Sequence, residues 1–245
     1  MLLRVLRDDP APAAWNMAVD EALLTLAATP TLRLYGWSPH AVSLGYFQRL
    51  ADFTDLPSGT PMVRRLTGGG AIHHGDEITF SLALDTHLLP RDVHDSYRLV
   101  HDAAIAALKR HGIASSCLAA GELPAARPSE RWCFALPGRG DVVTPTGKLL
   151  GSAQRRIVRP RPRVLHHGSL VVRRPGLTPF VASIADTCAN ADDRLEHAVR
   201  EALVEQIAAA LGTVPTAGSL TAPERALAER LATARYGDAA FLHAR

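Results

Sequence analysis

Three features of the chain place residue types together that can do chemistry. The first is VRRLTGGGAIHHGDEITFS at 63–81, where two arginines run into three consecutive glycines and a histidine pair. Consecutive glycines lose backbone entropy and have no side chain to pack, so such a run marks positive φ or a ligand lying against the main chain. Arg64 and Arg65 fall on opposite faces of an extended segment; one can point at whatever occupies the loop while the other faces solvent or a carboxylate. Phosphate loops differ, since no lysine follows these glycines and no helix is predicted to open there. The second feature is Cys133, set between Trp132 and Phe134 and upstream of Lys148. A thiol attacks as its thiolate, and its free pKa lies near 8.5; a nearby ammonium lowers it, each tenfold gain in thiolate taking about 1.4 kcal/mol. A cysteine in an apolar run is more often buried packing, however, and Lys148 alone reads equally as a solvated strand end. The third feature is the pairs His73-His74 and His166-His167, which could bond the backbone or pack; they lack the cysteine or carboxylate spacing of a metal site.

The elements that must position these residues follow from periodicity. Ile78, Phe80, Leu82 and Leu84 alternate with Thr79, Ser81 and Ala83, predicting a strand with one face in the core, so 63–84 reads as strand, glycine loop, strand. Upstream, 13–28 is rich in helix formers, with Asp20 and Glu21 expected near its outer side or at the end of a cleft. The segments 31–37 and 41–48 read as a hairpin about Ser38-Pro39-His40. Downstream, a helix is expected over 95–110, capped by Asp95 and stopped at Gly112. A loop follows at 119–130, then a short strand at 131–136 carrying Cys133. Two β runs flank the turn 144–147, another strand covers 164–172, and helices are expected over 192–211 and 221–236, the latter opened by the capping box Thr221-x-x-Glu224. This order predicts an α+β fold with a mixed, mostly antiparallel sheet flanked by helices.

Composition sets the frame. At 245 residues and 47% hydrophobic, the chain can bury one large core or a core with a small appendage. No apolar run reaches the length of a spanning helix and no secretory leader is read, so the expectation is a cytoplasmic protein. Three widely spaced cysteines argue against a disulfide framework or a zinc site. The net charge is +3 and arginine concentrates in RRIVRPRPR at 155–163. Lacking interleaved aromatics, that run fits an acidic protein partner or a solvated loop better than nucleic acid.

Taken together, LRLYGWSPHAVSLGYFQ, RRLTGGGAIHHGDEITFS, CFALP, GKLLGSAQRR and HHGSL resemble, in order, the blocks of the lipoate-protein ligase, biotin-protein ligase and octanoyltransferase superfamily. The resemblance covers nearly the whole chain, from WNMAVDEALL to ARYGDAAF, and is nearest to the cysteine-dependent octanoyltransferases built on the ligase scaffold. Gly70, where those enzymes often carry arginine, and Gly75, in place of a common aspartate, depart from their pattern. The resemblance implies one ligase-type catalytic domain over 1–245, related to class II aminoacyl-tRNA synthetases, with two C-terminal helices at about 192–236 and no separate accessory domain. It implies octanoyl transfer from acyl carrier protein to a lysine of lipoyl domains or of glycine cleavage H protein. Cys133 would form the acyl thioester and Lys148 would assist it. Arg65, Gly68, Gly69, Gly70, His74, Gly151, Ser152 and Ala153 would line the substrate site. No cofactor, metal, nucleic acid or membrane is implied. The alternatives are a ligase using ATP and Mg to make an acyl-adenylate, and a non-catalytic homologue that binds carrier domains.

Overall fold

The computed structural model describes residues 1–119, 130–188 and 191–244. The expected loop at 119–130 lies almost wholly outside the described residues.

An eight-stranded mixed sheet runs through the molecule in the order β11-β1-β2-β6-β10-β9-β8-β7. Its strands are β1 (Leu2–Arg7), β2 (Thr31–Tyr35), β6 (Glu77–Asp85), β7 (Ser116–Cys117), β8 (Val142–Thr144), β9 (Gly147–Ile157), β10 (Arg163–Val171) and β11 (Val214–Ala217). The pairs β11-β1 and β1-β2 are parallel and the others antiparallel, as the mixed-sheet expectation required. A small second sheet, β4-β3-β5, holds Ala41–Leu44 (β3), Met62–Arg64 (β4) and Ile72–His74 (β5). The segments read as a hairpin therefore part company, because β2 and β3 join different sheets.

Helices cover both faces of the large sheet. Ile78, Phe80, Leu82 and Leu84 of β6 pack in one core with Val100, Ala104 and Leu108 of α2 (Val93–Lys109) and Val199, Leu203 and Ile207 of α3 (Asp193–Ala210). On the opposite face Ala83 and Leu165 pack with α1 (Ala13–Leu26) and α4 (Ala222–Leu231). Each fully buried leucine or phenylalanine of these cores contributes roughly 1.5–3 kcal/mol. The predicted alternation along β6 thus separates two buried faces. Thr79 and Ser81 face inward toward the α1 side, where Ser81 Oγ donates to Asp20 Oδ1 at 2.7 Å.

Several local expectations change. Asp20 is fully buried, where it accepts from Arg33 at 3.1 Å and from the Tyr35 hydroxyl at 3.0 Å. It anchors α1 to β2 instead of facing outward. Helix α2 is capped by Asp92, whose side chain accepts the Asp95 N–H, because the helix begins one turn earlier than the apolar spacing suggested. The predicted strand at 131–136 shrinks to one bridge, Ala71 to Trp132, followed by a turn. Arg64 and Arg65 are both buried; Arg64 donates to the carbonyls of Gly45, Gln48 and Leu242 and so ties the 45–48 loop to the C-terminal segment. The basic run also divides. Arg156 donates to the carbonyls of Pro90 and Arg91, and Arg161 and Arg163 donate to that of Ala27, whereas Arg155 is exposed.

Burial lowers the pKa of His101, His166 and His167, so all three fold as neutral imidazoles. In the unfolded chain each takes a proton below about pH 6.5, and each then removes up to about 1.4 kcal/mol of stability per further pH unit. Denaturation in urea is therefore expected to give a falling unfolding free energy from about pH 7.5 to about pH 5.5, before carboxylates titrate. A flat or rising profile across that interval would refute this assignment.

Candidate functional site

A cavity opens on the α1 side of the large sheet, between β6, β10, β9 and the small sheet. Eight of the ten residues expected at the site line it: Arg65, Gly68, Gly69, His74, Cys133, Gly151, Ser152 and Ala153. The other two, Gly70 and Lys148, stand directly behind this wall.

Lys148 Nζ lies 3.3 Å from Cys133 Sγ and 3.3 Å from the Cys133 carbonyl oxygen. It also pairs with Asp141 at 2.7 Å and sits 4.9 Å from the centre of the Phe134 ring. This lysine is only 3% exposed. Burial alone would lower its pKa, but Cys133 and Asp141 together outweigh that and raise it, so the ammonium stays charged.

A β-bulge brings Lys148 to this face. Val142 pairs with Leu150 but Val143 pairs with Lys148, leaving Leu149 as an extra residue on β9. Leu149 and Leu150 both enter the core under α2. In a regular strand Lys148 would follow Leu150 into that core; the extra residue turns it to the face of Gly151 instead. There its side chain crosses Gly151 so closely that a Cβ would stand 2.4 Å from Cε and 2.6 Å from Nζ.

The glycine loop meets the cysteine turn through its backbone. The Cys133 N–H donates to the Ala71 carbonyl at 2.9 Å, and the Ala71 N–H donates to the Arg131 carbonyl at 2.8 Å. A Cβ at Gly70 would come within 2.7 Å of the Cys133 nitrogen. Any side chain at the third glycine would therefore meet the cysteine turn where it lies in this chain. Arg65 fastens the loop from below, donating to the carbonyls of Gly68 and Gly70 at 2.8 and 2.7 Å. No carboxylate among the described residues pairs with it, and burial pushes its pKa down to about 10.

His74 stacks on Trp37 at 3.7 Å and is held at both ring nitrogens. Nδ1 is 2.8 Å from Glu77 and Nε2 is 2.7 Å from Ser43 Oγ. Since an ionised carboxylate only accepts, Nδ1 carries a proton and donates it to Glu77. On the other side His167 spans Thr67 at 2.7 Å and Asp20 at 3.4 Å. The floor is thus a closed polar network beneath apolar walls. Met17, Tyr35, Trp37 and Ile72 also line the cavity, although the sequence reading named none of them as site residues. Asp141 gave one signal: it begins the first β run of the hairpin whose second run starts near Lys148.

Residues 12–222 match the lipoyl protein ligase A/B catalytic domain family. The chain is 36% identical to octanoyltransferase LipM of Kyrpidia tusciae, over 93% of this chain and 94% of that protein. It superposes on protein Ta0514 of T. acidophilum with bound lipoic acid at a TM-score of 0.81, with 21% identity and full coverage of both chains. Lipoate-protein ligase A bound with ATP gives a TM-score of 0.75, with 22% identity over 98% of each chain.

The geometry predicts that iodoacetamide alkylates Cys133 faster than Cys117, whose thiol burial beside Asp102 pushes up to about 11. Lys148→Met should slow Cys133 alkylation at neutral pH by about tenfold. Gly151→Ala changes no charge yet displaces the lysine, so it should reproduce most of that slowing. Peptide mapping by mass spectrometry reads both; an unchanged rate in Lys148→Met would sink the pairing.

Proposed function

The chain belongs to the lipoyl protein ligase A/B catalytic domain family, and from that premise we propose that it is an octanoyltransferase of protein lipoylation working through a Cys133 thioester. The observation that carries the mechanism is the charged, buried Lys148 ammonium 3.3 Å from Cys133 Sγ at the wall of an apolar cavity.

The donor is an octanoyl thioester of acyl carrier protein. Its acyl chain enters the cavity, and the Cys133 thiolate attacks the carbonyl carbon. The tetrahedral intermediate collapses, the carrier leaves as a thiolate that takes a proton from solvent, and the octanoyl group remains on Cys133. The neutral ε-amine of a lysine on a lipoyl domain, or on glycine cleavage H protein, then attacks this thioester. An amide forms, the amine proton is lost and the Cys133 thiolate is regenerated. Lys148 stabilises the thiolate and the oxyanion of both intermediates, an effect of about 3 kcal/mol for one well-aimed donor in a site closed to water. Asp141 holds the ammonium in place without discharging it. Arg65 and His74 keep the loop and the cavity floor rigid, while Gly68, Gly69, Gly70, Gly151, Ser152 and Ala153 let the acyl carbonyl approach the backbone.

The thioester already carries the activation that ATP supplies in a ligase, so neither ATP nor Mg enters this reaction. Arg155, exposed beside Tyr46 at 5.9 Å, is the member of the basic run best placed to steer an acidic carrier toward the cavity. Because β11, from near the C-terminus, pairs with β1, we read the chain as one catalytic domain. With three free cysteines it suits the cytoplasm.

Intact mass after incubation with octanoyl-acyl carrier protein, without ATP, tests the reading. Wild type should gain one octanoyl group and lose it to an added lipoyl domain, Cys133→Ser should gain none, and Lys148→Met should turn over at least about a hundredfold more slowly. Modification of the lipoyl domain only with ATP and free octanoate, at equal rates in wild type and Cys133→Ser, would move the chain to the ligases.

A further inference from the structure

Behind the cavity wall, on α2, lies a buried histidine that octanoyl transfer does not use. His101 is 1% exposed and is held at both ring nitrogens, Nδ1 at 2.6 Å from the Gly140 carbonyl oxygen and Nε2 at 2.7 Å from Ser152 Oγ. A carbonyl oxygen only accepts, so Nδ1 carries the proton. Burial lowers the pKa and keeps the ring neutral, which leaves a lone pair on Nε2 to accept the Ser152 hydroxyl proton. One tautomer therefore satisfies both contacts. Around the ring stand Tyr97, 6.0 Å away on the same helix, and His166 on β10, 6.2 Å away. Asp141, Lys148 and Asp102 act on it through charge.

Gly140 immediately precedes Asp141, whose carboxylate accepts from the Gly138 N–H at 2.6 Å and from Lys148 at 2.7 Å. Gly140 takes a φ of +84°, so the chain turns sharply there. Its N–H donates to the Leu118 carbonyl at 2.9 Å, and the Asp141 N–H donates to the Gly138 carbonyl at 3.0 Å. The carbonyl of the turn is fixed by His101, and Ser152, on the strand that also carries Lys148, is fixed by the same ring. One imidazole thus ties together the loop that brings Asp141 and the strand that brings Lys148.

We propose that His101 is a positioning residue: through its Nδ1–H bond to the Gly140 carbonyl it sets Asp141 against Lys148, and so sets the ammonium against Cys133. The inference rests on the Cys133–Lys148 reading of the site. Its test uses the intrinsic reactivity of Cys133, which is measurable whether or not octanoyl is the substrate. Asparagine can place an N–H near the position of Nδ1, whereas glutamine reaches the position of Nε2 and loses the Gly140 contact.

Iodoacetamide alkylation of Cys133 would be followed across neutral and mildly alkaline pH for wild type, His101→Gln and His101→Asn, alongside thermal unfolding. His101→Gln should slow alkylation at neutral pH by about tenfold. His101→Asn should keep the rate within about twofold of wild type. Two outcomes overturn the proposal: equal slowing in both variants, or an alkylation rate in His101→Gln unchanged from wild type, whatever the thermal stability. Failure of wild type to accept octanoyl from the carrier, with this reactivity pattern intact, would refute the octanoyltransferase reading and leave the positioning role standing.

Discussion

An ammonium buried to 3% exposure is the constraint on which the site depends. Taking a lysine head group out of water costs several kcal/mol unless opposite charge and hydrogen bonds stand ready to receive it. Here Asp141 supplies the charge at 2.7 Å and the Cys133 sulfur and carbonyl supply the remaining contacts at 3.3 Å. Each partner arrives on a different segment: Asp141 at the start of a hairpin, Cys133 on a turn after the Ala71 bridge, Lys148 on β9. The segments must therefore be fixed independently before the charge is tolerable. The bulge at Leu149, the missing side chains at Gly70 and Gly151, and the Gly138–Asp141 turn do this without adding a further charged group.

Charge is handled with similar care at the cavity floor. Two buried cations, Arg33 and Arg65, are treated in opposite ways. Arg33 meets Asp8 at 2.6 Å and Asp20 at 3.1 Å, so its charge is matched and it serves to lock α1 onto β2. Among the described residues Arg65 meets hydroxyls and carbonyls only, and burial lowers its pKa accordingly. Its positive field is thus less fully cancelled on the side of the glycine loop, where the carbonyl of an incoming thioester would develop negative charge. Both arginines hold rigid structure, but only Arg65 leaves an electrostatic bias facing the ligand.

Much of this was legible in the sequence. The β6 alternation, the hairpin about 144–147, the capping box at Thr221 and the glycine loop each rest on local rules that tertiary packing did not overturn. The family resemblance, carried over position by position, marked eight residues that line the cavity. What local rules missed depends on contacts between distant segments. The bulge that redirects Lys148 has no local signature, since GKLLGSAQRR reads equally well as an unbroken strand. The hairpin assigned to β2 and β3 failed because strand propensity says nothing about which sheet a strand joins. Asp20 was expected near the outer side of its helix or at the end of a cleft; only the arrival of Arg33, Tyr35, Ser81 and His167 from three strands makes its full burial favourable.

That distribution bears on how such a site can be inherited across a family that contains both transferases and ligases. The sheet, its two helical layers and the glycine loop enclose the cavity proposed to take the acyl chain, and none of these features depends on how the acyl group would be activated. Activation would be decided at the wall, where the turn carrying Cys133 brings its thiol to the Lys148 ammonium that the bulge delivers. A thiol without that turn would sit too far from the ammonium, and an ammonium without the bulge would point into the α2 core. The chemistry proposed here therefore rests less on the presence of cysteine than on two local backbone irregularities that bring it to the lysine.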